Sequence, residues 1–216
     1  MDSNTKRIGV IGPGLMGTAI TDRLLESGYS VAIWNRTKEK ADRFLQRGAI
    51  WSENPISVCD RVIISLYSSD VVAQVIDQMH DGLHPSQVII DTTTGEPEDC
   101  RSMGQQLAAL GVQYLDAPIS GSSEQTRRGE VMVMVGGNPA AFEGCEDIWP
   151  VLGKSVFYTG ERGSASRMKL DNEPRTWPES NSSGRRTVVR QGNRSFTRSS
   201  TGSSPGQCCI FKDDGC

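Results

Sequence analysis

A chain of 216 residues, 36 % of them hydrophobic, holds one α/β domain and part of another. A formal net charge of −3 leaves no basic excess to neutralise phosphates, which argues against a nucleic-acid partner. No apolar run is long enough to cross a bilayer, which argues against a membrane role. Met1–Arg7 is polar and leads straight into an apolar run, unlike a secretory or transit leader, so the expected compartment is the cytoplasm. The cysteines (Cys59, Cys100, Cys145, Cys208, Cys209, Cys216) form no CxxC pair and have no histidine-rich spacing beside them. Reduced thiols and no metal site are expected.

In chain order, Ile8–Ile11, Val31–Trp34, Val62–Tyr67, Val88–Asp91, Val112–Asp116 and Val131–Val135 read as strands, being rich in Val and Ile. Helical patterns lie between them. Met16, Ala19, Ile20 and Leu24 share one face of the first. Ala41, Phe44 and Leu45 mark a second that stops at Gly48. Val72, Val75, Ile76 and Met79 form a third face, and Met103, Leu107 and Leu110 a fourth before Gly111. This alternation predicts right-handed βαβ crossovers and a mainly parallel, doubly wound α/β sheet of the Rossmann type. Ile8–Ile11 and Val62–Leu66 lack polar alternation, as strands covered on both faces should.

Gly12-Pro13-Gly14-Leu15-Met16-Gly17 follows the first strand and opens the first helix. Gly12 suits a tight turn, Gly14 lets backbone approach a pyrophosphate, and Gly17 lets the helix pack closely on the strand. The second strand runs into Asn35-Arg36-Thr37, where an NAD-selective site usually carries Asp or Glu. Asn35 does not repel a 2′-phosphate, Arg36 can clamp one, and Thr37 adds a donor, with Lys38 or Lys40 nearby. NADP(H) is therefore expected in preference to NAD(H).

Four blocks carry a resemblance to the β-hydroxyacid dehydrogenases: GPGLMG at 12–17, WNRT at 34–37, DAPISGS at 116–122 and GSASRMKLDN at 163–172. That family includes 3-hydroxyisobutyrate dehydrogenase, tartronate semialdehyde reductase and glyoxylate/succinic semialdehyde reductases. The resemblance implies hydride transfer between a nicotinamide and a small hydroxy acid or semialdehyde, with a carboxylate-bearing substrate as partner. It places Leu66, Tyr67 and Ser68 under the cofactor, and Thr93 and Thr94 at its nicotinamide end. It makes Ser120, Gly121 and Ser122 binders of the substrate carboxylate, Asn172 a further substrate-binding residue, and Lys169 the catalytic lysine. Tyr67 and Ser68 depart from the family's Met-Leu-Pro loop. Ser122, in place of a second Gly, is closer to the glyoxylate/succinic semialdehyde reductases. Imine reductases share the fold but commonly replace the lysine, so Lys169 argues against them.

By this reading residues 1–162 form the dinucleotide domain and 163–172 start an interdomain helix. Glu173–Cys216 departs from the family: it has no Leu, Ala or Met, is rich in Ser, Arg and Gly, and reads as disordered. Glu173 stands where the family has a second Asn, and Pro174 would break the expected long helix. Back-translated one nucleotide later, this tail is compatible with the missing Asn and an Ala-rich helix, which suggests a shifted reading frame. The expected consequences are loss of the family's dimer contact, weak NADP(H) binding, and poor or no turnover, leaving a binding module as an alternative role.

Overall fold

In the computed structural model, residues 7–171 and the backbone of Val189–Arg190 are described. The chain alternates β1 (Arg7–Ile11), α1 (Leu15–Glu26), β2 (Ser30–Trp34), a 3₁₀ turn running into α2 (Asp42–Leu45), and β3 (Ile50–Trp51). It continues with β4 (Arg61–Ile64), α3 (Ser69–Gln78), β5 (Val88–Asp91), α4 (Pro97–Ala109), β6 (Gln113–Asp116) and β7 (Ile119–Ser120). Then come α5 (Ser123–Arg128), β8 (Met132–Gly137), α6 (Pro139–Glu143), α7 (Trp149–Leu152), β9 (Ser155–Gly160), α8 (Ser164–Asp171) and β10 (Val189–Arg190).

The sheet runs β10-β9-β8-β6-β5-β4-β1-β2-β3, with β7 paired to β8. Six consecutive strands of this order, β6-β5-β4-β1-β2-β3, are parallel. β8 meets β6 antiparallel, and β9 is parallel to β8. The expected doubly wound, mainly parallel sheet is what forms. The chain leaves β1 towards β2 and β3 on one side, then returns to β4 on the other, so a topological switch point lies between β1 and β4. Ligands of open α/β sheets bind outside the carboxyl ends of the strands at such a point.

The strands bury both faces, which explains their unbroken hydrophobicity. Val10, Val31, Ile33, Ile63, Ile90 and Leu115 pack with α1, α6 and α7 residues such as Ile20, Phe142 and Trp149. Their neighbours Ile11, Ala32, Val62, Ile64, Ile89 and Tyr114 face the other way, against Val72, Ile76 and Leu107 of α3 and α4. Residues one apart thus feed opposite cores.

Some boundaries differ from the sequence reading. β4 ends at Ile64 instead of Tyr67, because Ser65–Ser68 turns out of the sheet to enter α3. The second helical pattern is a 3₁₀ turn (Lys38–Ala41) followed by one α turn, too short for its own amphipathic face. The elements β3, β7, β9, α5, α6 and α7 were not anticipated. Within the segment expected to lack periodic structure, Val189 and Arg190 pair antiparallel with Val156 and Ser155, where β9 offers an open edge.

Candidate dinucleotide and substrate crevice

The C-terminal ends of five strands stand in one row. Trp34 pairs with Ile11, Ile11 with Ile64, Ile64 with Asp91, and Asp91 with Asp116. At roughly 4.8 Å per strand the row spans about 19 Å. Each candidate segment leaves the sheet from this row: Asn35–Thr37 after Trp34, the glycine turn after Ile11, Ser65–Ser68 after Ile64, Thr92–Thr94 after Asp91, and Ala117–Ser122 after Asp116.

Steric demand separates the three glycines. Gly12 has φ +87°, and a Cβ there would lie 2.5 Å from the Ser65 carbonyl oxygen and from the Leu66 side chain. A Cβ on Gly17 would lie 2.2 Å from the Gly12 carbonyl oxygen, so α1 can sit this close only with glycine. A Cβ on Gly14 would meet nothing within 4 Å. The protein itself therefore does not require glycine at 14, whereas a ligand laid against that backbone would. Gly14 is the N-cap of α1 and no side chain caps it. The first-turn N–H groups of Leu15, Met16 and Gly17 are thus presented outward, as an anion site needs. These residues fit a pyrophosphate. Pro13 starts the turn, and its carbonyl accepts the Thr18 hydroxyl at 3.2 Å. Leu15 is 83 % exposed at the mouth of the turn. Met16 is half-buried and its sulfur accepts the Thr126 hydroxyl at 3.0 Å, docking α5 on α1.

At the outer end of the row, Asn35 Nδ2 donates to the Thr37 carbonyl at 2.8 Å and shapes the turn. Arg36 and Thr37 stay exposed beyond it. The Lys38 ammonium lies 5.0 Å over the Trp51 ring. No acidic side chain follows β2 until Glu39.

Centrally, the Thr93 hydroxyl accepts the Leu66 N–H at 3.1 Å, tying the loop after β4 to the loop after β5. Thr93 is buried and its neighbour Thr94 is exposed, so Thr94 has the reachable hydroxyl of the two. Tyr67 is 93 % exposed. Ser68 is the N-cap residue of α3 with no capping bond from its side chain.

At the inner end, Ser120 and Gly121 are exposed, and Gly121 has φ +143°. Ser122 is differently committed. Its hydroxyl accepts the Gln125 N–H at 3.1 Å, and its own N–H donates to Gln125 Oε1 at 2.8 Å. This capping box starts α5 through the Ser122 N–H and the acceptor side of its hydroxyl. Gln125 and Thr126 both have structural work: Gln125 in the box, and Thr126 buried against Met16.

Two carboxylates to which the sequence reading gave no role, Asp91 and Asp116, anchor these loops. Asp91 Oδ1 accepts the Thr93 N–H at 2.9 Å and Oδ2 accepts the Tyr114 hydroxyl at 2.7 Å. Burial raises the Asp91 pKa and pushes the Tyr114 phenol well above its usual range. Asp116 accepts the N–H groups of Gly163, Ala165 and Ser166 at 3.0, 3.1 and 3.0 Å. Burial pushes its carboxyl up to about 6 against the pull of those donors. The Asp91–Thr93 bond is local, but no local pattern announces the Asp91–Tyr114 bond or the Asp116 bonds, because those partners come from distant segments. Lys169 is half-buried on α8. Asn172 lies outside the described residues.

Cavities also lie away from this crevice. One of about 150 Å³ sits between α3 and α4. Another of about 720 Å³ opens at the opposite strand ends, beside Arg7, Arg61 and Asp147. Neither includes the glycine turn. Among the described residues no cluster of His, Cys, Asp or Glu could hold a metal, and Cys59, Cys100 and Cys145 are free and buried. No described helix is long and apolar enough to cross a membrane.

Residues 7–160 match the model for the NAD-binding domain of 6-phosphogluconate dehydrogenase. The chain belongs to that family. This NAD-binding domain is 34 % identical to the uncharacterized oxidoreductase YkwC of Bacillus subtilis, over 78 % of this chain and 60 % of the relative. It is 32 % identical to the cytokine-like nuclear factor N-PAC of Xenopus tropicalis, over 76 % of this chain and 32 % of the relative. The chain thus spans about a third of one and under two thirds of the other. Among solved structures, Psf3 in complex with NADP+ and 2-OPP is 30 % identical with a TM-score of 0.71, covering 76 % of this chain and 61 % of that one. Mycobacterium tuberculosis 3-hydroxyisobutyrate dehydrogenase shares the fold, with a TM-score of 0.73 at 22 % identity, covering 77 % and 58 %.

Proposed function

We propose that this chain carries the cofactor half of an NADP(H)-dependent oxidoreductase of the 3-hydroxyisobutyrate dehydrogenase type, acting on a small hydroxy acid or semialdehyde. The observation that carries the reading is the row of strand ends. It brings Arg36, the Gly12–Gly17 turn and the Ser120–Gly121 loop into one line, which supports reading them as a 2′-phosphate reader, a pyrophosphate turn and an anion-binding loop. The absence of an acidic residue at Asn35–Thr37 and the NADP+ bound by Psf3 support NADP(H) over NAD(H). The free thiols fit a reducing compartment such as the cytoplasm.

The nicotinamide, when bound, gives or takes the hydride. The chain's own part is to place and protonate. The Ser120 hydroxyl and the Gly121 N–H hold the substrate carboxylate. Thr94 and the backbone of Leu66, Tyr67 and Ser68 fix the nicotinamide end. In reduction the Lys169 ammonium stabilises the charge developing on the carbonyl oxygen and donates a proton to it.

The N-PAC relative, named a nuclear factor, favours a second reading: a domain that keeps the cofactor and acts through interaction. NADPH-linked turnover of glyoxylate, succinic semialdehyde and hydroxyisobutyrate-type substrates separates the two. Turnover that disappears in Lys169→Ala, with NADPH binding intact, supports the oxidoreductase. Stoichiometric NADPH binding without turnover across the panel supports the binding domain.

A further inference from the structure

Helix α8 is capped from far away. Caps normally come from the residue just before the first turn. Here Asp116, 47 to 50 residues earlier, receives the N–H groups of Gly163, Ala165 and Ser166. A local cap would start a helix equally well; a cap borne by the sheet also fixes where that helix stands. The surroundings admit little else. A Cβ on Gly136 would lie 2.5 Å from Asp116 Oδ1 and 2.8 Å from Ser164 Oγ. The Ser164 and Thr159 hydroxyls are 2.7 Å apart, and Ser166 Oγ lies 3.3 Å from Cys100 Sγ on α4. A Cβ on Gly163, whose φ is +81°, would lie 2.4 Å from the Pro97 carbonyl oxygen.

Asp116 is also the last residue of β6, four before Ser120. Lys169 lies five residues into the helix from Ser164, about 8 Å along its axis at ~1.5 Å per residue. We infer that Asp116 is a positioning residue: its buried carboxylate hangs the lysine-bearing helix and the Ser120–Gly121 loop from one point. Their spacing across the substrate end is thereby set by the sheet. This inference rests on the proposed role of Lys169.

The test uses the full chain with its lysines ¹³C-methylated, the Lys169 signal being the one missing in Lys169→Arg. NADPH is titrated into wild type and Asp116→Asn. The expected result is unchanged NADPH affinity and unchanged responses of Lys38 and Lys40. The NADPH-induced displacement of the Lys169 signal falls about fivefold, the population change that a lost helix cap produces. Should Asp116→Asn fail to fold, Gly136→Ala crowds the same carboxylate and carries the same expectation. An equal Lys169 response in wild type and variant overturns the inference and leaves the lysine's role standing. A wild-type Lys169 signal that ignores bound NADPH overturns that role, and the inference with it.

Discussion

Tyr114 donates its hydroxyl to Asp91 across 2.7 Å inside the sheet, directly beneath the loop that holds Thr93 and Thr94. Both groups are buried, and Asp91 uses its other oxygen on the Thr93 N–H. Tyr114→Phe leaves a buried carboxyl oxygen short of a partner. The expected loss is about 1–3 kcal/mol in unfolding free energy, read by urea denaturation. An unchanged denaturation midpoint would refute the anchoring role.

The glycine turn predicts opposite outcomes at neighbouring positions. Gly14→Ala, at φ −73° with open space beyond, should alter stability by less than about 1 kcal/mol. It should weaken NADPH binding about tenfold or more, through loss of roughly 1.4 kcal/mol of close backbone contact. Gly17→Ala forces a Cβ onto the Gly12 carbonyl oxygen and should cost about 2 kcal/mol or more in stability. Thermal melts and cofactor titrations of the two variants together decide it; equal melting temperatures would contradict the geometry.

Asp116 links stability to pH. Burial raises its folded pKa from 3.8 to about 6, so the folded state holds the proton more tightly than the unfolded chain. The associated stabilisation is complete below pH about 4 and is lost as pH rises through about 6, an effect on the order of 3 kcal/mol. Asp116→Asn lacks this dependence. The stability of wild type relative to the variant should therefore fall between pH 4 and pH 7, measured by urea unfolding at each pH. A difference that stays flat or rises would contradict the sign.

Much of this was legible in the sequence, for physical reasons. Five of the six parallel strands, β1, β2, β4, β5 and β6, announce themselves because strands covered on both faces read as apolar runs rich in Val and Ile; β3, two residues long, does not. The glycine turn does so because its spacing is dictated by sterics between β1 and α1. What escaped notice is short or distant. Helices α6 and α7 span five and four residues, too few to show a period. The Ser122–Gln125 box is a local cap inside a block that the family resemblance assigns to substrate binding, and the sequence reading did not identify it. The Asp91–Tyr114 bond and the Asp116 bonds to α8 join segments that meet only when the sheet is built, and no spacing encodes them.

Cofactor titration of the full chain tests the proposed NADP(H) crevice most directly. NADPH and NADH dissociation constants are measured for wild type and Arg36→Ala. Wild type should prefer NADPH. The variant should lose about 10–100-fold in NADPH affinity, matching roughly 1.5–3 kcal/mol for charge-assisted hydrogen bonds to a 2′-phosphate, while NADH binding stays unchanged. Equal affinity for the two cofactors, unaltered by Arg36→Ala, would contradict the account.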